Sequence, residues 1–157
     1  MKTKPYEPLA TGLITWYALY QSIHVLVNTR GLWILISGRA LDFPAPPPNG
    51  GWSADVVHLM VAIGVLDLVN AVAALVFVWG YFTKKDWHFW LGTLTTTVSV
   101  YAFGLYIYWT FASGAWTADN LPIYLVVNGG FLPIIALWLV IASWGSKGFQ
   151  SGSWMEK

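Results

Sequence analysis

The sequence predicts an all-α fold, a polytopic integral membrane four-helix bundle with both termini cytoplasmic, on three observations. Hydrophobic residues make up 57% of the 157 positions and charged residues only 10%, against about a quarter in an ordinary soluble domain. With a mean hydropathy of +0.58, seven acids and eight bases are too few to cover a soluble fold of this size. Apolar runs fall at about 9–36, 54–82, 87–112 and 121–144, each longer than the ~20 residues a bilayer crossing needs. Finally, four crossings put Lys2, Lys4, Lys84, Lys85, Lys147 and Lys157 on one side and only Arg30 and Arg39 on the other. That asymmetry sets the orientation by the positive-inside rule. Length gives one domain, residues 1–157.

The first run follows a short polar tail, Met1 to Pro8, and extends from Leu9 to Ile36. It exceeds the apolar core of a cleavable signal peptide, and no small-x-small cleavage site follows it. Either it is one tilted span, or it ends near Arg30 and Gly31 to Ile36 lies at the interface. Gly38 to Ser53 is a loop: Pro46, Pro47 and Pro48 lack backbone donors, and Asn49-Gly50-Gly51 turns the chain.

Ser53 or Asp55 suits the N-cap of the second helix. Thr83-Lys84-Lys85-Asp86 is too short for anything but a tight reversal, so the second and third helices should be antiparallel neighbours. The third run carries the hydroxyls of Thr93, Thr95, Thr96, Thr97 and Ser99. Pro122 fits the first turn of the fourth. There Asn128-Gly129-Gly130 ahead of Pro133 predicts close packing and a kink. Residues 145–157 read as a polar tail whose Trp154 suits the interface. Trp52, Trp79, Trp87, Trp90, Trp116 and Trp144 fit interfacial belts. Trp16, Trp109 and Trp138 sit deeper, where packing or ligand contact must account for them.

Polar groups inside apolar spans are costly and turn toward a bundle interior. Gln21, His24 and Asn28 share one helical face by their spacing. Asp67 and Asn70 lie near the middle of the second span and Asn128 in the outer half of the fourth. They read either as interhelical hydrogen-bond glue or as the lining of a funnel descending to the bilayer centre. The sequence offers no charged partner at the depth of Asp67, so its bland reading is a neutral carboxyl bonded to Asn70 or to a third-span hydroxyl. His24 and His58 are the only candidates for ligating haem or chlorophyll, without second-shell acids and on different faces. No catalytic set and no metal site is read, and the absence of cysteine excludes thiolate ligands. A net charge of +1 gives no case for nucleic acid.

The order of these features resembles the emopamil-binding (EXPERA) family of four-helix membrane proteins, which includes sterol isomerases. The matching stretches are SIHVLVNTRGLWIL, YFTKKDWHFW, VSVYAFGLYIYWTF and PIYLVVNGGFLPIIALWLVI. The resemblance implies that His24 and Asn128 correspond to the family's first-span histidine and last-span asparagine. Where the isomerases place a glutamate and a tryptophan, this chain has Asn28 and Phe131, and only Asp67 remains for their second-span glutamate.

The first expectation is therefore a non-catalytic bundle binding a sterol-like, isoprenoid or other apolar lipid through Gln21, His24, Asn28, Asp67, Asn70, Trp109, Asn128 and Phe131. The alternative is an accessory subunit packing against a larger membrane complex or a homo-oligomer. A third is an isomerase-like enzyme with Asp67 and His24 as acid and base. The membrane itself, a bacterial or archaeal plasma membrane or a eukaryotic endomembrane, is not read from the sequence.

Overall fold

The computed structural model describes residues 7–39, 41 and 43–151, with side chains described for 8–143 within that set. Four α-helices make up its regular structure: α1 (Glu7–Ile36), α2 (Ala54–Phe82), α3 (His88–Ala112) and α4 (Leu121–Ser151). There is no strand among the described residues. The readings of Lys2, Lys4, Trp154 and Lys157 fall outside the described residues.

Local chemistry sets the ends. The Val56 N–H donates to Ser53 Oγ at the start of α2, filling one of the orphan donors of the first turn. At its end, backbone turns across Thr83 to Lys85 reverse the chain into α3. Pro133 lies inside α4 without ending it, and the helix runs on through residues 145–151, where the sequence reads as a tail.

The helices form a closed ring in which each packs on the next and α4 returns to α1. Neighbours run antiparallel: Thr11 meets Tyr81 hydroxyl to hydroxyl, and higher on the same pair Asn28 Nδ2 donates to Gly64 O. The main core holds Ile14, Tyr17, Ala74, Phe77, Phe131, Ile134 and Leu137. Its tightest seam is between α2 and α3, where Phe77 fills the space over Gly92; a Cβ there would stand 2.5 Å from Phe77 Cε2. The tightest approaches thus fall at Gly92 and Gly80; in the Gly129-Gly130 pair a Cβ would meet nothing within 4 Å at Gly129 and Tyr20 Cε2 at an ordinary 3.6 Å at Gly130.

Two stretches, Ala54–Phe82 and Leu121–Ser143, are long and apolar enough to cross a membrane. Large apolar side chains also stand exposed on all four helices, among them Leu26, Leu66, Phe111 and Val126, each about 70% exposed.

The proline loop lies over the end of the ring formed by the C-termini of α1 and α3 and the N-termini of α2 and α4. Its own Leu41 and Ala45 are buried against Ile34 and Leu35 of α1. The Tyr106 hydroxyl donates to Pro44 O, the Tyr124 hydroxyl to Pro46 O and Asn120 Nδ2 to Pro47 O, each at 2.8 Å. Prolines have carbonyls to offer but no N–H, so α3, α4 and the turn between them supply the donors to Pro44, Pro46 and Pro47 in this strap, while the loop's own Gly51 N–H donates to Pro48 O.

Candidate functional site

The site begins with the register of α1 on α2. His24 stands twelve residues before the end of α1 at Ile36, and Asp67 thirteen after the start of α2 at Ala54. At 1.5 Å per residue these are depths of about 18 and 20 Å from the same end of the bundle. The antiparallel pair therefore brings them level, and His24 Nε2 donates to Asp67 Oδ2 at 2.7 Å. This corrects the reading of Asp67 as a carboxyl without a charged partner. Had the first span ended near Arg30, one of the two ends the sequence leaves open, His24 would lie only about 9 Å deep; the continuous helix to Ile36 lowers it by six residues.

The ring of Tyr20, one turn before His24, stacks on the imidazole at 6.0 Å between centroids. Tyr20 in turn meets Phe131 edge-on at 5.7 Å, and Phe131 lies flat on Phe103 at 4.0 Å. The pair is thus held by aromatic packing as well as by its own hydrogen bond. The two side chains keep 26% and 22% of their surface accessible. Neither His24 Nδ1 nor Asp67 Oδ1 has a hydrogen-bond partner among the described residues, and neither atom is fully buried.

Two cavities among the described residues adjoin the pair. The larger, about 260 Å³, lies among α1, α3 and α4 and is walled mainly by Ile23, Val27, Phe103, Val126, Val127 and Phe131. The smaller, about 140 Å³, lies among α1, α2 and α3 under the strap, against Leu32, Leu35, Leu41, Met60 and Trp109. His24, Asp67, Tyr106, Val27, Pro44 and Ala102 belong to both walls.

The polar residues expected to share one funnel are divided. Gln21 and Phe131 face the larger cavity, Asn28 and Trp109 the smaller, and His24 and Asp67 both. Asn70 lines neither; its amide donates to Ser99 Oγ at 3.0 Å and to Thr95 O at 3.3 Å, so it is not the partner of Asp67. Asn128 also lines neither cavity, and its Oδ1 is buried with no partner among the described residues. His58 is exposed and away from both cavities. No group of three or more metal-ligating acids and histidines occurs among the described residues.

The deep tryptophans divide likewise. Trp16 Nε1 donates to Gly130 O and Trp138 Nε1 to Thr97 Oγ1, both as helix-to-helix ties at 3.0 Å. Of the hydroxyl-rich run, Thr93, Thr95 and Thr96 bond back to carbonyls of their own helix. Only Thr97 and Ser99 reach other helices. Tyr20, Phe103 and Tyr106 went unremarked as site residues in the sequence, although a signal was there. Tyr20 precedes His24 by four residues, and Phe103 and Tyr106 follow Ser99 by four and seven, so each shares a face with a polar neighbour.

Chemically, an apolar chamber with one ionisable hydrogen-bonded pair on its wall can hold an apolar molecule and fix one polar group of it. The same pair can also pass a proton. Comparison with family models, with characterised proteins and with solved structures returns no match.

Proposed function

We propose that this chain is a four-span membrane bundle with cytoplasmic termini that holds an apolar, sterol-like or isoprenoid lipid without transforming it. The observation that carries this reading is the 260 Å³ cavity, walled by aliphatic and aromatic side chains and carrying His24 and Asp67 as its ionisable pair. Ligand sites have this composition: an apolar lining and a few convergent polar groups. The ring of exposed apolar side chains on all four helices supports burial in lipid for α1 and α3 as well as for α2 and α4. Of the two residues that correspond to the emopamil-binding family's, His24 lines the cavity and so fits this reading, whereas Asn128 lines neither cavity.

Purification in mild detergent followed by mass spectrometry tests the proposal. A lipid should copurify with the native chain and be depleted from a His24→Leu, Asp67→Leu variant that keeps its fold. Recovery of stoichiometric partner polypeptides and no enriched lipid would replace this reading with that of an accessory subunit.

A second reading has its own observation. The 2.7 Å contact between His24 and Asp67 is the arrangement of a general base oriented by a carboxylate. On that reading the bound lipid undergoes proton transfer, with His24 Nδ1 as the proton-carrying atom.

A further inference from the structure

The larger cavity and the smaller one lie on either side of a single polar pair, and that placement says where the polar group of a ligand must be. Resting on the lipid-binding reading, we infer that the ligand carries its polar function within its length, between a longer and a shorter apolar arm, and not at one end. A molecule with a terminal head group at His24 and Asp67 fills one chamber and leaves the other vacant. A molecule with an internal hydroxyl or carbonyl fills both. The chambers differ nearly twofold in volume, about 260 against 140 Å³, so the arms are unequal.

The wall between the chambers supports this. Six residues face both sides, and apart from the pair and Tyr106 they are the small or apolar Val27, Pro44 and Ala102. Val27 is the largest aliphatic side chain among these shared residues. The open valences fit as well. Asp67 Oδ1 accepts, and with Nε2 giving its hydrogen to Asp67, His24 Nδ1 accepts in the neutral ring and donates only in the imidazolium, so a hydroxyl beside the pair finds an acceptor in each. Ser99 Oγ, which also faces the larger chamber, is already engaged by Tyr17, Gln21 and Asn70, leaving the pair as the anchoring point.

The strap bounds the smaller chamber on one side. Leu41, Pro44 and Ala45 of the strap form its roof, and the Tyr106 hydroxyl that lines it is bonded to Pro44 O. An arm extended toward the strap meets that bond.

Two sixteen-carbon alcohols serve as probes, one with its hydroxyl on the first carbon and one with it on the sixth, titrated into the detergent-solubilised full chain at equal micellar mole fraction. Tryptophan fluorescence on heating reports occupancy through the rise in Tm. The internal alcohol is expected to bind about tenfold more tightly than the terminal one. Gly31→Leu, which projects into the smaller chamber from a position where a Cβ meets only Leu41 Cδ1, at 3.5 Å, should erase that preference while leaving the terminal alcohol unaffected. Leu105→Phe, on the opposite wall, is the second variant should the first fail to fold. Equal affinity for the two alcohols in the native chain, or a preference that survives both fillings, overturns the two-armed ligand and leaves lipid binding intact. Failure of either alcohol to raise the Tm of the native chain overturns the inference together with the binding reading on which it rests.

Discussion

Two polar clusters sit side by side in this bundle, three residues apart on both α1 and α2, and they are built on opposite terms. Gln21 and Asn70 belong to one, His24 and Asp67 to the other. In the first, Ser99 Oγ receives the amides of Gln21 at 3.3 Å and Asn70 at 3.0 Å, which fill its two acceptor sites. Its own hydrogen is left for the Tyr17 hydroxyl, 3.0 Å away. Every member is less than 10% exposed. In the second, one hydrogen bond joins two groups that keep roughly a quarter of their surface accessible, and an atom of each remains free toward a cavity. A buried cluster gathered on one saturated hydroxyl fixes helices against one another, whereas a partly accessible pair joined by one bond and lining both cavities is poised to bind. Polarity inside the bundle therefore does not by itself mark a site; unfilled valence beside a cavity does.

The sharpest way to break this comparison is at Ser99. Ser99→Val strands the buried Gln21 amide and the Tyr17 hydroxyl together, while Asn70 keeps Thr95 O. We expect a loss on the order of 2 kcal/mol in stability, read by thermal unfolding in detergent, with copurifying lipid retained by the folded fraction. A variant that loses lipid but not stability would reverse the roles assigned to the two clusters.

Asp67→Leu should do the opposite. The His24 side chain it leaves behind is partly accessible, so the stability cost should stay near 1 kcal/mol, while affinity for a hydroxylated lipid falls about tenfold or more. Thermal unfolding and lipid retention measured on one preparation decide it. A large fall in stability with lipid retained would place this pair among the structural ties.

Tyr106 belongs to both descriptions, since it lines the two cavities and also holds the strap. Tyr106→Phe keeps the ring and removes only the bond to Pro44 O, at a cost of about 1 kcal/mol or less. Hydrogen exchange in residues 41–53 should accelerate, while α1 and α2 near His24 and Asp67 stay protected. Unchanged exchange across the loop would show that Tyr124 and Asn120 suffice to hold it.

The four helices were legible because the chain punctuates itself: three prolines with Asn49-Gly50-Gly51 after α1, a four-residue basic turn after α2 and Pro122 at the start of α4. The polar residues that matter were legible as a set, for polarity inside an apolar run is conspicuous. Their partners were not. Pairing between helices depends on relative depth, and depth depends on where each helix stops. The six residues between Arg30 and Ile36 shift His24 by about 9 Å, enough to hide its contact with Asp67. Asn70 misled for a related reason. It follows Asp67 by three residues and so suggests a local bond, yet the α2–α3 seam closed by Phe77 over Gly92 brings Ser99 within its reach.

The smallest change separates holding a lipid from transforming it. Asp67→Asn leaves the side chain with the same shape and with an amide oxygen that accepts the His24 Nε2 hydrogen as the carboxylate does. What it removes is the negative charge and the capacity to take a proton. If the pair only anchors a polar group, stability should change by about 0.5 kcal/mol or less, and a neutral alcohol should bind within about threefold of its native affinity. If Asp67 orients His24 for proton transfer, binding and stability should still survive, but exchange of solvent deuterium into the bound lipid, detectable by mass spectrometry in the native chain, should disappear. Exchange absent from both proteins fits holding alone; exchange present in the native chain and lost in the variant establishes the proton-transfer reading. A variant that unfolds or sheds its lipid would mean that the charge of Asp67, not its shape, holds the pair together. The comparison between the two clusters would then rest on electrostatics and not on open valence.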